Sequence, residues 1–189
     1  MRWLMFVLVA WVMLGLETGL KPALQLGPTP IAPSFVLPLA VVIAMFASSS
    51  ASLWACLLLG LMVDLTWKIP RTDFGTATMI GPYALGYLLA GQLVLTLRGI
   101  MMRRNPLSVA FLSACAAAVA NVVVVAIITL HTAFYTEPIE WSAPQQLLAR
   151  LSSALYTGVI GLVLAPVLLF VAPFMGLQTP GTRRYVKRG

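Results

Sequence analysis

Long apolar stretches, separated by short turns or loops, fill almost the whole chain. Spanning a bilayer takes about 20 apolar residues in a helix, and every backbone amide inside lipid must be bonded within its own segment. The pattern therefore predicts an all-α membrane protein, a polytopic bundle of about six transmembrane helices. The predicted helices cover residues 3–20, 31–47, 51–66, 74–97, 107–130 and 146–171.

Composition agrees with this pattern. The hydrophobic fraction is 60% and the mean hydropathy is +0.96, whereas soluble domains are about 45–50% apolar. The connection over 21–30 contains three prolines and a glycine, which predict turns or extended chain. The loop over 131–144 is too short to bury a core of its own. We therefore predict one transmembrane domain over 1–175 and a basic cytoplasmic tail over 176–189.

The N-terminal run follows Arg2 as a secretory signal would, but Glu17 and Lys21 come after it in place of a cleavage site, so we expect a retained helix. Lysines and arginines favour the cytoplasmic side of a membrane. With both termini inside, the cytoplasmic set outnumbers the outer one. The cytoplasmic set is Arg2, Arg98, Arg103, Arg104, Arg183, Arg184, Lys187 and Arg188, and the outer set is Lys21, Lys68, Arg71 and Arg150.

The net charge of +7 follows from this topology, so we expect no nucleic-acid partner. The basic tail is a stop-transfer anchor in the plainest interpretation. Two alternatives are contact with anionic membrane lipids, where each basic residue contributes about 1 kcal/mol, and contact with an acidic partner.

The chain offers few groups for chemistry. Cys56 and Cys115 fall in different predicted helices and indicate apolar packing. His131 has no second ligand near it in sequence, so we expect no metal and no cofactor. A nucleophile would have to be Ser152 or Ser153 with His131, and serines in membrane helices more often bond back to a carbonyl. We expect a protein that is not an enzyme.

Three polar residues at membrane depth stand out, because such groups are costly in lipid. They are Glu17, Asp64 and Asn121. Glu17 precedes Lys21 by four residues and Asp64 precedes Lys68 by four, a spacing that places both partners on one helical face. An interfacial ion pair and a specific site both remain open for each carboxylate.

Small residues in predicted helices four and six indicate close helix packing. Helix four contains Gly81, Gly86, Ala90 and Gly91, and Pro82 is expected to kink it after two turns. Helix six contains Gly158, Gly161 and Ala165 before Pro166. Each seam serves packing within the bundle or is left open to a partner protein.

The stretch over 57–91, LLLGLMVDLTWKIPRTDFGTATMIGPYALGYLLAG, resembles the central signature of the bacterial rod shape-determining MreD family. That family has a G-x-x-x-D-L helix end, a short loop ending in glycine, and a helix finishing in tyrosine, an apolar pair and a small residue. The loop over 67–74 and the C-terminal tail are longer here than in the family. The matching positions are Gly60, Asp64, Leu65, Gly75, Tyr87, Leu88, Leu89 and Ala90.

The resemblance implies a non-enzymatic scaffold of the cell-elongation complex in the bacterial inner membrane, acting in cell shape and peptidoglycan synthesis. Its implied partner is a bitopic MreC-like protein, and through it MreB filaments, RodA and a class B penicillin-binding protein. A similar six-helix architecture is found in the substrate-binding S components of energy-coupling-factor vitamin transporters. That alternative needs an outer pocket, for which Trp67, Asp73, Tyr135 and Trp141 are the candidates.

Overall fold

The chain folds into a helical bundle in the computed structural model, which describes residues 1–27, 29–70, 76–101, 105–134 and 142–177. A two-stranded antiparallel ribbon, β1 (Ile69–Pro70) and β2 (Thr76–Ala77), joins the third helix to the fourth. The predicted helical architecture is confirmed. The helices are α1 (Trp3–Leu20), α2 (Val36–Phe46), α3 (Ser49–Thr66), α4 (Pro82–Leu97), α5 (Pro106–Phe134) and α6 (Ala143–Val171).

Four of these helices, α1, α3, α5 and α6, are long and apolar enough to cross a membrane, which makes the chain a helical membrane protein. The other two are shorter than six complete spans would require. At 1.5 Å per residue, the 11 residues of α2 extend about 16 Å, roughly half of a 30 Å hydrocarbon core. Helix α4, with 16 residues, extends about 24 Å.

The short helix α2 forms the centre of the bundle. All of its residues are buried, and it packs against each of the other five helices. Helix α1 lies at the edge, where it packs against α2 and α3 alone among the described elements. It buries one narrow stripe, Phe6, Ala10, Met13 and Glu17, so most of its circumference faces outward.

Two predicted helix starts are wrong. Residues 31–35 are not helical, and α2 begins at Val36 instead of residue 31, because side chains from α1 and α6 bind the backbone N–H groups of that segment. Helix α4 begins at Pro82 instead of residue 74, directly after Gly81 at a φ of 129° that favours glycine. Pro82 therefore occupies the first turn, where no intrahelical bond is lost, and does not kink the helix. Pro166 does lie inside α6.

Candidate functional site

Polar side chains gather where α1, α3 and α5 end and where α2, α4 and α6 begin. We call this region the polar end. The antiparallel course of successive helices brings these six termini to one side of the bundle, although they are far apart in sequence. The polar end is defined by Glu17, Lys21, Ser34, Asp64, Trp67, Tyr83 and Arg150.

Asp64 caps the N-terminus of α4. One carboxylate oxygen, Oδ2, accepts hydrogen bonds from the N–H groups of Gly81 at 3.0 Å and Ala84 at 2.9 Å, and Oδ1 accepts one from Tyr83 at 2.9 Å. The side chain is 1% exposed. Because the first N–H groups of a helix have no partner within it, this carboxylate satisfies donors that would otherwise be buried and unbonded. Lys68 is exposed, and the ion pair recorded among the described residues joins Lys21 to Glu17, so of the two alternatives left open for Asp64 the structure shows the specific contact and not the pair with Lys68.

Glu17 caps the N-terminus of α2 in the same way. Its Oε2 accepts hydrogen bonds from the Ser34 hydroxyl at 3.1 Å and from the N–H groups of Phe35 and Val36. Its Oε1 lies 2.9 Å from Lys21 Nζ, so Glu17 forms the ion pair that was one of its two alternatives and caps α2 as well. Two carboxylates near the ends of long helices thus cap the two short helices that follow them in the chain.

Lys21 lies one residue beyond α1, and 38% of its side chain is exposed. Burial is the largest single influence on its pKa and lowers it, and the like charge of Arg150 lowers it further. The negative charge of Glu17 and its hydrogen bond to Lys21 act in the opposite direction, and the net pKa lies above the usual value of 10.5. The ammonium group therefore stays protonated at neutral pH.

The extended segment before α2 is held from the other side by α6. The N–H of Ala32 donates to Ser153 Oγ at 3.3 Å, and the N–H of Ser34 donates to Thr157 Oγ1 at 3.0 Å. Ser153 and Ser152 each donate their own hydroxyl to the carbonyl four residues earlier, as expected for serines in membrane helices. Irregular backbone at membrane depth is tolerated where protein groups satisfy it, and these contacts meet that requirement.

Arg150 of α6 lies over two aromatic rings. Its Nη1 donates to the Tyr83 hydroxyl at 2.8 Å, and its guanidinium carbon lies 5.0 Å from the Trp67 ring centre and 5.7 Å from that of Tyr83. Both distances suit a cation–π interaction. The buried Nε atom has no hydrogen-bond partner. Asn121 of α5 fixes this part of α6 by donating its side-chain N–H to the Arg150 carbonyl at 2.9 Å.

A groove of about 450 Å³ opens beside these groups. Glu17, Lys21, Thr66 and Trp67 line it together with apolar side chains that include Pro22 and Val63. Trp67 was predicted as a pocket residue and does line the groove. The other predicted pocket residues, Asp73, Tyr135 and Trp141, lie outside the described residues.

The signature glycines pack within the bundle. A Cβ atom at Gly60 would lie 2.5 Å from the Tyr83 carbonyl oxygen, and one at Gly91 would lie 2.7 Å from Cys56 Sγ, so both glycines allow α3 and α4 to approach closely. Gly86 lies against Ala120 of α5, and Gly161 of α6 lies against Ser113 of α5. Both seams therefore serve intramolecular packing, the first of the two alternatives. Gly75 lies outside the described residues.

Tyr87 connects this packing to the polar end. It is buried, its hydroxyl lies 3.3 Å from Ser34 Oγ, and it lines an internal cavity of about 10 Å³ beside Gly91. The lining of this cavity is almost entirely apolar, so no ordered water is expected in it. Of the predicted site residues, the structure thus brings Gly60, Asp64 and Gly91 to the interface of α3 and α4, while Tyr87 of α4 faces Ser34 and α2.

Three residues of the polar end, Ser34, Tyr83 and Arg150, were not predicted as site residues from the sequence. Ser34, besides bonding Glu17, accepts the N–H of Leu37 at 3.3 Å, and a serine shortly before an apolar run is a recognised helix-start signal. Tyr83 and Arg150 are 67 residues apart in the chain, and no local pattern links them. At the opposite end of the bundle, Arg98 Nη1 donates to the carbonyl oxygens of Ala44 at 3.2 Å and Ala47 at 2.8 Å.

No family model, curated protein or solved structure matches this chain.

Proposed function

We propose that this chain is a non-enzymatic scaffold of the bacterial cell-elongation complex, of the MreD kind, in the inner membrane with both termini in the cytoplasm. The observation that carries the proposal is the position of the signature residues in the structure. Gly60 and Asp64 of α3, two of the positions on which the resemblance rests, both contact the first turn of α4. A shared sequence signature is expected where its residues form one structural unit, and this contact supports the proposal.

The scaffold needs a surface for a partner's transmembrane helix, and α1 offers one. Gly15 and Gly19 are exposed, four residues apart, and a Cβ atom at either would meet nothing within 4 Å. Small residues at this spacing let a second helix approach closely in a membrane. Leu8 and Val12 extend the same exposed side toward the N-terminus. We therefore assign the MreC-like partner to the side of α1 formed by Leu8, Val12, Gly15 and Gly19, named here the α1 face.

The proposal is tested by photo-crosslinking in the membrane. A crosslinking amino acid at Val12, which is 61% exposed on α1, is compared with one at Val163, which is 67% exposed on α6. We expect the Val12 position to capture an MreC-like bitopic protein and the Val163 position to capture lipid. Equal capture at both positions, or capture of no cell-wall protein at either, contradicts the scaffold.

Glycine substitutions separate binding from folding. Gly15→Ile and Gly19→Ile have open space at Cβ, so we expect an unchanged fold and at least a tenfold lower recovery of the partner. Gly60→Ala is the contrast, because its Cβ meets backbone and overpacking costs about 1–3 kcal/mol. Loss of the partner in Gly60→Ala alone would mean that the α1 face is not the binding surface.

The groove at the polar end favours a second candidate, the substrate-binding membrane component of a small-molecule transporter. Its volume of about 450 Å³ falls in the range of ligand pockets, about 300–1,000 Å³. Apolar walls and a few charged groups are also typical of such pockets. Affinity purification of the tagged chain distinguishes the two candidates, since ATPase subunits in place of cell-wall proteins would support the transporter.

A further inference from the structure

The charges at the polar end cancel. The charged residues that define it are two carboxylates, Glu17 and Asp64, and two cations, Lys21 and Arg150. The N-termini of α2, α4 and α6 each carry about half a positive charge, and the C-termini of α1, α3 and α5 each carry about half a negative charge, so the helix ends balance as well. In the groove itself, Lys21 is already paired with Glu17. An ion of either sign would meet no surplus of opposite charge there, and the groove favours an uncharged ligand.

The polar side chains of the groove keep unused hydrogen-bonding capacity. Thr18 and Thr66, which line it from α1 and α3, each donate the hydroxyl proton to a carbonyl of their own helix, so each oxygen can still accept a bond. Lys21 and Gln25 each donate one side-chain hydrogen bond within the protein, although an ammonium group has three donors and an amide has two. The lining therefore offers acceptors and donors side by side. A hydroxyl group, which both donates and accepts, complements such a surface.

Trp67 gives the groove an aromatic surface. The centre of its ring lies 5.0 Å from the guanidinium carbon of Arg150 and 5.5 Å from the ring centre of Tyr83. Neither of these two residues belongs to the described lining of the groove. They fix the indole, and the part of it that faces the groove stays free for a ligand. Pro22 and Pro30 add apolar surface to the lining, and aromatic and apolar walls with a few placed polar groups are typical of ligand pockets.

We infer that the groove between α1 and α3 binds an uncharged sugar, with the ring against Trp67 and the hydroxyl groups bonded to Thr18, Thr66 and their polar neighbours. A sugar ring has C–H groups on its faces and hydroxyl groups around its edge, so one molecule meets both kinds of surface. The inference deepens the second candidate function, on whose ligand groove it rests, by naming the class of ligand. The sugar is either free or the headgroup of a glycolipid, and the chemistry of recognition is the same.

Two binding measurements on the purified full chain test the inference, in tetraethylene glycol monooctyl ether, a detergent without a sugar. Native mass spectrometry compares dioleoyl glucosyldiacylglycerol with dioleoylglycerol, which lacks the sugar, and with dioleoylphosphatidylglycerol, which is anionic. Saturation-transfer NMR compares methyl glucoside with glucose 6-phosphate, which has the same ring and a negative charge.

A preference of at least tenfold for the glucosyl lipid over both other lipids identifies a glycolipid headgroup. A transfer signal from methyl glucoside that is absent for glucose 6-phosphate identifies a free sugar. A smaller preference in the first measurement together with no signal in the second overturns the inference. Equal binding of the anionic probes also overturns it, because the ligand would then not be selected as uncharged.

Substitutions in the lining locate the site. We expect the double variant Thr18→Val and Thr66→Val to weaken sugar binding at least fivefold, because valine keeps the shape and removes the hydroxyl. Thr96→Val is the matched control, since Thr96 is an exposed threonine of α4 that also bonds back to its own helix and does not belong to the described lining. We expect its binding to be unchanged, and an equal loss there would overturn the site.

Trp67 is tested by a pair of variants. We expect Trp67→Leu to weaken sugar binding at least tenfold, while Trp67→Phe keeps an aromatic ring and retains binding within about threefold. The second variant guards against misfolding of the first. Full binding in Trp67→Leu would overturn the role of the indole in the site.

Failure of this inference and failure of the second candidate function are distinguishable. Sugar binding is measured on the isolated chain, whereas the transporter is tested by the recovery of ATPase subunits. Recovery of those subunits without sugar binding would support the transporter and overturn the ligand class. Sugar binding without those subunits would support the site and contradict the transporter, and neither result changes the crosslinking test of the α1 face.

Discussion

At the scale of single residues, the two buried carboxylates are structural anchors. Asp64 is bonded to three backbone donors of α4, and Glu17 is bonded to two backbone donors at the start of α2 and to Ser34. A charged group in a membrane protein is usually taken as a functional marker. Here the carboxylates accept hydrogen bonds from N–H groups that have no acceptor within the first turn of a helix. They therefore allow two helices to begin in a buried position.

Replacing Asp64 should destabilise the fold strongly. For Asp64→Ala we expect a loss of about 2–4 kcal/mol in the free energy of unfolding. Losing a cap costs up to about 2 kcal/mol, and a buried donor left unbonded costs about 1–3 kcal/mol. Asp64→Asn keeps one acceptor oxygen and should lose about half as much. The measurement is unfolding in mixed detergent micelles followed by tryptophan fluorescence.

Lys68→Ala is the matched control for that experiment, because Lys68 is exposed and follows Asp64 by four residues. We expect no change in the unfolding midpoint. A loss in Lys68→Ala equal to that in Asp64→Ala would favour an ion pair over the cap.

At the scale of secondary structure, α2 is the unusual element. It is about half as long as the hydrocarbon core is thick and is buried along its whole length. Water therefore cannot bond the free N–H and C=O groups at its two termini. Glu17 bonds its first N–H groups, and Arg98 bonds the carbonyl oxygens of Ala44 and Ala47 at its other end. The charges match the helix dipole at both ends. This short helix is therefore held by one anion and one cation from neighbouring helices.

The two ends of α2 should loosen independently. We expect Glu17→Ala to speed amide hydrogen exchange about tenfold at Phe35 and Val36, and Arg98→Ala to speed it by a similar factor at Phe46 and Ala47. Hydrogen bonds to charged groups contribute about 1.5–3 kcal/mol, which corresponds to a factor of ten or more. Hydrogen exchange with mass spectrometry measures both. An equal increase over the entire chain in either variant would mean global unfolding and would contradict local capping.

How far the sequence predicts these elements depends on whether their bonds are local. The bounds of α1 are the predicted 3–20, because an uninterrupted apolar run needs only its own hydrogen bonds. The start of α2 was missed because Glu17, Ser153 and Thr157 supply the partners of its leading segment from distant positions. The role of Asp64 was missed for the same reason: its bonding partners lie 17 to 20 residues ahead, beyond the spacing of four that suggested Lys68.

At the scale of the whole molecule, the bundle has two chemically different ends. The polar end holds the groove, both caps of helix starts and Arg150, while the other end holds Arg98 and the N-terminal Arg2, whose N–H donates to the Met175 carbonyl at 2.8 Å. Contact between Arg2 and Met175 brings the start of α1 and the turn after α6 to one side. An even number of chain passages between the two ends of the bundle agrees with that arrangement. Helix α2 is too short to cross a membrane alone, but it reverses the chain between α1 and α3 and therefore counts as one passage.

This arrangement gives a topology that single cysteines can test. In a variant with Cys56 and Cys115 replaced by alanine, we expect Gln25→Cys, at the exposed polar end, to react with a membrane-impermeant maleimide in intact spheroplasts. Ser48→Cys, exposed between α2 and α3 at the other end, should react only after permeabilisation if the basic end faces the cytoplasm, as the proposed topology requires. If α2 failed to reverse the chain, both cysteines would label from the same side of the membrane, which would contradict this topology.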